Sequence, residues 1–124
     1  MKESDSTGLS KRDRSFLSLA MSLSLKSNMK QAHGAVIVRG GRVLSLGWNT
    51  LKNDPTNVSD EHIARYCSVH AERMAIARCK KAAGATIYIA RNKAGVPRHS
   101  KPCDACDRAI KMAGISRVVY TTDL

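Results

Sequence analysis

Two short stretches carry residues that could do chemistry together. CSVHAERM, at 67–74, sets His70 and Glu72 two positions apart where a helix begins, and KPCDAC, at 101–106, sets Cys103 and Cys106 at i and i+3. On a helix the two sulfurs share a face, so both can grip one ion. Pro102 sits where a helix start tolerates proline. First-turn N–H groups and the helix dipole favour anionic sulfur there and lower its pKa. His70 holds the same position on its own helix. His70, Cys103 and Cys106 supply three corners of a tetrahedron. A structural zinc closes all four corners with protein, whereas a catalytic zinc leaves one for water. Glu72 is too near His70 in sequence to be an obvious co-ligand. It is well placed to turn a carboxylate toward the fourth corner, where zinc lowers the pKa of water to about 7 and a carboxylate can shuttle its proton.

The same residues admit other readings. Cys103 and Cys106 could be a thiol–disulfide pair, which leaves His70 and Glu72 without a role. The zinc could be structural, with Cys67 or Cys79 as fourth ligand. Cys79 lies over two turns beyond His70 and reads as a small buried residue; Cys67, three positions before His70, is the stronger rival.

The elements that must position these groups follow from pattern and punctuation. Residues 1–8 are polar and expected to be flexible, leaving 9–124 as a single domain. Ser10 with Asp13 three residues on suggests an N-cap, and Leu, Met, Ala and Lys without β-branching favour a helix over 11–28. AVIV (35–38), Gly40-Gly41 and RVLSLGW (42–48) spell a β-hairpin. A long loop is expected over 50–66, then a helix over 70–83 stopped by Gly84, and a strand over 86–90. A basic loop over 91–101, a helix over 103–113 and a strand over 117–121 complete the order α-β-β-α-β-α-β. Helices between the later strands imply parallel pairing and a helix-covered sheet. Helix N-termini would then gather at one sheet edge, where open α/β sheets place their sites.

Composition bounds the partners. The chain has 124 residues with 21 Lys and Arg against 10 acids, a net charge of +11 and a pI near 10. Such a surface attracts phosphorylated small molecules or nucleic acid. Aromatic content of 4% argues against a single-strand reader that stacks bases. No apolar run is long enough to span a membrane. Residues 16–25 are too diluted by serine for a signal peptide, and no A-x-A site follows them. The expected location is cytoplasmic, where four irregularly spaced cysteines point to metal or redox use.

His70-Ala71-Glu72 followed by Pro102-Cys103-x-x-Cys106 resembles the zinc-dependent cytidine and deoxycytidylate deaminase superfamily, whose signature is H-x-E…P-C-x-x-C. HGAVIVRGG, GWN (47–49), ATIYIA and GISRVVY match its other segments in order, so the resemblance covers roughly 33–121. It implies a three-layer α/β/α cytidine-deaminase-like fold, with a mixed sheet made of a β-hairpin followed by parallel strands. It implies Zn²⁺ held by His70, Cys103 and Cys106, with Glu72 as the proton carrier. Asn49 would hydrogen-bond the sugar and the Ala71 N–H the base carbonyl. The product is the uracil form plus ammonia. The substrate expected is a cytosine nucleotide or nucleoside, deoxycytidylate first. Arg91, Lys93, Arg98, His99 and Lys101 read either as a solvated basic loop or, from their place beside the expected pocket mouth, as phosphate contacts. The alternatives are a deaminase of cytosine or adenine in single-stranded DNA or RNA, and a zinc-stabilised binding module without catalysis. The last strand would be left as an open edge, which favours homo-oligomers. His33 and His62 read as surface or packing histidines, and Trp48 as a core aromatic.

Overall fold

A computed structural model describes residues 2–4, 9–27, 31–51, 68–93 and 96–122. The elements are β1 (Lys2–Ser4), α1 (Lys11–Ser24), β2 (Ala32–Arg39), β3 (Arg42–Trp48), β4 (Thr50–Leu51), β5 (Ser68–Val69), α2 (Ala71–Ala77), β6 (Thr86–Lys93), β7 (Val96–Arg98), α3 (Asp104–Met112) and β8 (Arg117–Tyr120).

The sheet runs β1-β8-β6-β2-β3, with β7 added beside the end of β6. Gly40 and Gly41, both at positive φ, close the β2–β3 hairpin as the sequence suggests. β2 pairs antiparallel with β3 and β6, and β6 pairs parallel with β8. Alternation along the strands builds two cores. Ala35, Ile37, Ile87, Ile89 and Val118 face Ala75 and Ile110 of α2 and α3. Val36, Val38, Tyr88, Ala90 and Val119 face Leu17, Ala20 and Leu23 of α1. A period of two on the strands thus feeds three layers, α1 on one face and α2 with α3 on the other. The mixed α/β sandwich matches the expected fold class.

Several boundaries differ from expectation. The segment 91–101 is not a loop throughout. β6 continues to Lys93, and β7 returns antiparallel with Arg91 opposite Arg98. The cause is cross-strand: β2 begins at Ala32 and pairs with Asn92, so the backbone of 91–92 joins the ladder despite its polar side chains. α2 stops at Ala77, short of Gly84. Gly84 N–H instead donates to the Gly114 carbonyl, and Ser116 N–H to Ala85, so the two helix-to-strand connections zip together. α1 ends at Ser24 rather than 28. Of the loop expected over 50–66, Thr50 and Leu51 pair with Val69 and Ser68, and the remainder lies outside the described residues, as does His62.

The expected flexible N-terminus contains a strand. Lys2, Glu3 and Ser4 pair in parallel with Arg117, Val118 and Val119. β8 is therefore not an open edge, and self-association has to be argued from another surface.

Candidate metal centre and active site

β3 and β6 run in the same direction, since both are antiparallel to β2, and β6 and β8 are parallel. α2 and α3 cross between these strands and so begin at one edge of the sheet. Gly47 lets the first turn of α2 settle on β3: a Cβ there would overlap the Ala71 carbonyl oxygen and meet the Ala75 nitrogen at 2.7 Å. The Ser45 hydroxyl donates to the Ala75 carbonyl at 2.6 Å and fixes the same contact.

His70 is the N-cap of α2 and Cys103 the N-cap of α3. Both have extended backbones, and neither side chain caps its own helix. An N-cap side chain ordinarily accepts from the first turn. Here the two turn toward each other. His70 Nδ1 lies 3.9 Å from Cys103 Sγ and 3.2 Å from Cys106 Sγ. One ligand atom from each of the three falls within 4.8 Å of the others.

The donor set suits zinc: one imidazole nitrogen and two sulfurs at helix N-termini. Cys106 is fully buried. Burial pushes its thiol well above the ordinary range, and Glu72 and Cys103 beside it push further. Acidic groups crowded into an apolar interior call for a cation, and a coordinating metal deprotonates such a thiol outright. Among the described residues the cluster has three members, which leaves a tetrahedral corner open. Cys79 packs against the core instead, and Cys67 lies outside the described residues. Cys103 and Cys106 are free thiols, not a disulfide.

Glu72, in the first turn of α2, is only 5% exposed, and Ala71 is fully buried. Glu72 bears on two neighbours, Cys106 and His33. His33 is a residue that sequence reasoning passed over as packing. It is half-buried at the start of β2, directly opposite Arg91 of β6. Its ring nitrogen Nδ1 lies 3.3 Å from the Gln31 carbonyl. Burial lowers its pKa, Glu72 opposes that shift, and Arg91 and His70 reinforce it.

Asn49 is buried, and its amide is oriented by backbone groups. Oδ1 accepts from His33 N–H at 2.8 Å and Nδ2 donates to the Gln31 carbonyl at 2.7 Å. His33, Arg91 and Arg98 form a row across β2, β6 and β7. Adjacent like charges repel, and the Nε atoms of Arg91 and Arg98 are buried without a hydrogen-bond partner. Arg91 also donates to the His99 carbonyl at 3.4 Å. The His99 ring stacks edge-on against Tyr120, with centroids 5.5 Å apart. Lys93 and Lys101 are exposed.

Ser100 and Thr121 were not legible as site residues. Buried Ser100 donates its hydroxyl to the Ile89 carbonyl and accepts from Thr121 N–H, both at 2.9 Å. This knot fixes the segment that delivers Pro102 and Cys103. Trp48 packs against the α1-side core, with Lys26 and Arg78 5.3 and 5.1 Å from its ring centroid.

Comparison with known proteins gives a concordant result. Residues 10–122 match the cytidine and deoxycytidylate deaminase zinc-binding region. The riboflavin biosynthesis protein RibD of Aquifex aeolicus is 30% identical over 115 residues, which is 89% of this chain and 28% of that protein. The chain thus spans little more than a quarter of this relative. Among solved structures, the dCMP deaminase of cyanophage S-TIM5 in complex with dCMP and dUMP superposes with a TM-score of 0.71 at 21% identity, covering 94% of this chain and 85% of that one. The Thermotoga maritima diaminohydroxyphosphoribosylaminopyrimidine deaminase/reductase gives 0.58 at 24%, covering 88% and 29%. The HAE and PCDAC stretches, the strands from β2 to β8 and the three-ligand cluster fall within the matched span, and the chain belongs to the cytidine and deoxycytidylate deaminase family of zinc-dependent hydrolytic enzymes.

Proposed function

We propose that the protein removes the exocyclic amine of a phosphorylated pyrimidine nucleotide, deoxycytidylate first, with water as co-substrate and ammonia as product. The observation that carries this is a carboxylate, Glu72, buried beside a three-ligand cluster with an open corner. Burying a carboxylate without a purpose is costly. Zinc held by His70, Cys103 and Cys106 would supply Lewis acidity and make water a nucleophile near neutral pH. Glu72 takes the proton that water gives up and delivers it to ring nitrogen 3. The oxygen adds at carbon 4, a second proton goes to the amine, and the carbon–nitrogen bond breaks. The Ala71 N–H, at the start of α2, meets the base carbonyl, and the oriented amide of Asn49 meets the sugar. In the row across β2, β6 and β7, Arg91 and Arg98 would neutralise the phosphate, since their two buried Nε donors lack partners, with the neutral His33 ring beside them as a hydrogen-bonding group. Lys93, His99 and Lys101 flank that row.

A second reading, an amine on a phosphoribosylated aminopyrimidine, is favoured by the likeness to RibD together with the name of the Thermotoga maritima deaminase/reductase. It uses the same residues. A polynucleotide substrate is less well supported: Phe16, Trp48, Tyr88 and Tyr120 are all at least half-buried, so none offers a stacking platform.

The test is ammonia release from deoxycytidine, cytidine, their 5′-monophosphates and a cytosine-containing oligonucleotide. Turnover of the monophosphates is expected, with Glu72→Gln reducing it about 10²–10⁴-fold while zinc stays bound. Activity restricted to the oligonucleotide would overturn the substrate assignment. Zinc binding with no ammonia from any of these substrates, nor from a phosphoribosylated aminopyrimidine, would make the protein a binding module.

A further inference from the structure

The far end of the sheet, away from the metal cluster, carries a second concentration of charge. β2 leads from His33 beside the site to Arg39 at its other end, roughly 20 Å away at strand rise. There Arg39 stands directly opposite Arg42 across the hairpin. Like charges in that relation repel unless an anion lies between them. Both are exposed, yet Arg39 is held: its guanidinium donates to the Lys81 carbonyl at 3.1 Å and the Ala83 carbonyl at 3.3 Å. These bonds bring exposed Lys80 and Lys81 alongside the hairpin. From the other face, Arg12 lies over the turn, its NH2 atom 3.0 Å from where a Cβ on Gly41 would be. Asp13, an acid at this end, is already engaged by Arg117 and Tyr88.

We propose that Arg12, Arg39, Arg42, Lys80 and Lys81 form a docking surface for the phosphate backbone of double-stranded nucleic acid, independent of the catalytic pocket. Three arginine forks suit bridging phosphate oxygens. The described aromatics are at least half-buried, which disfavours stacking of single strands. Val43 is the one exposed large apolar residue adjoining this surface in sequence, too little to insert into a bilayer. Binding would rest on counterion release and carry no sequence preference.

The test is fluorescence anisotropy of the full chain with 20-base-pair DNA and RNA duplexes across a salt series. Steep salt-dependent binding is expected. Arg39→Glu with Arg42→Glu should weaken it at least tenfold and flatten the log–log salt slope by about 2, leaving ammonia release unchanged, while Arg42→Glu alone, which keeps the bonds from Arg39 to Lys81 and Ala83, should weaken binding severalfold with Tm unchanged. Lys26→Glu with Arg108→Glu makes the same charge change on exposed residues away from the hairpin and should matter much less. Equal losses from both double variants would reduce the effect to bulk charge and overturn the proposal. So would loss on Arg91→Ala with Arg98→Ala, which would place binding in the pocket, or equal affinity for anionic phosphatidylserine vesicles, which would make a membrane the partner.

Discussion

Four residues, His70, Glu72, Cys103 and Cys106, carry the proposed chemistry, and one that sequence reasoning discounted lies beside them. His33 lies between Asn49 and Arg91 and senses Glu72. Its lowered pKa keeps the ring neutral at neutral pH, with burial as the main cause. Replacing His33 with Ala removes a side-chain hydrogen-bonding group from the proposed nucleotide pocket but leaves the backbone bond to Asn49. KM for the monophosphate should rise about tenfold, the size of one lost hydrogen bond. Zinc content and kcat should hold. Steady-state kinetics with metal analysis checks this, and zinc loss would show that His33 supports the ligands instead. The metal ligands themselves were legible because i, i+3 sulfurs at a helix start and a His-x-Glu pair have few other uses. His33 was not, because a lone histidine at a strand start has no spacing signal. Only the register that sets it against Arg91 reveals its place. Ser100 and Thr121 were hidden for the same reason, meeting across 21 positions of sequence.

Elements were read well where one period dominated and poorly where partners decided. The β2–β3 hairpin and α3 follow the sequence closely, since glycine turns and β-branched runs fix the first and Gly114 limits the second. The extension of β6, the β7 return and the β1 pairing depend on neighbouring strands that supply hydrogen bonds to polar segments. α2 is short, seven residues, and cannot hold itself by helix propensity. Its placement depends on tertiary contact, chiefly the close approach at Gly47. Gly47→Ala should therefore force α2 off β3, costing about 1–3 kcal/mol as overpacking. It should also move His70 and Glu72 together. Thermal melts should show the destabilisation, and zinc titration should show weakened binding. A variant with full zinc affinity would mean that α2 is positioned by the core alone.

At the scale of the whole molecule, one polar knot joins the beginning of the fold to its end. Asp13 sits in the first turn of α1, capped by Ser10, and takes a two-pronged ion pair from Arg117, 104 positions away, at 2.8 and 3.0 Å. Tyr88 of the central strand donates its hydroxyl to the same carboxylate at 2.6 Å. α1, β6 and β8 are thus tied through a single buried group. Hydrogen bonding to Arg117 is the largest cause that lowers the Asp13 pKa from 3.8 to about 2, against the opposing cost of burial. A depressed carboxylate binds fewer protons in the folded state than in the unfolded one. Its stabilisation is fully present above pH 4 and is lost as pH falls from about 4 to about 2. The size is about 2 kcal/mol, from the shift at 1.36 kcal/mol per unit. Asp13→Asn should remove at least that much at pH 7, because it also strands the Arg117 charge. Urea unfolding at pH 7, 4 and 2.5 should show the wild type converging on the variant as the acid window is crossed. A gap between the two that persists unchanged at pH 2.5 would mean that the loss comes from packing rather than from charge.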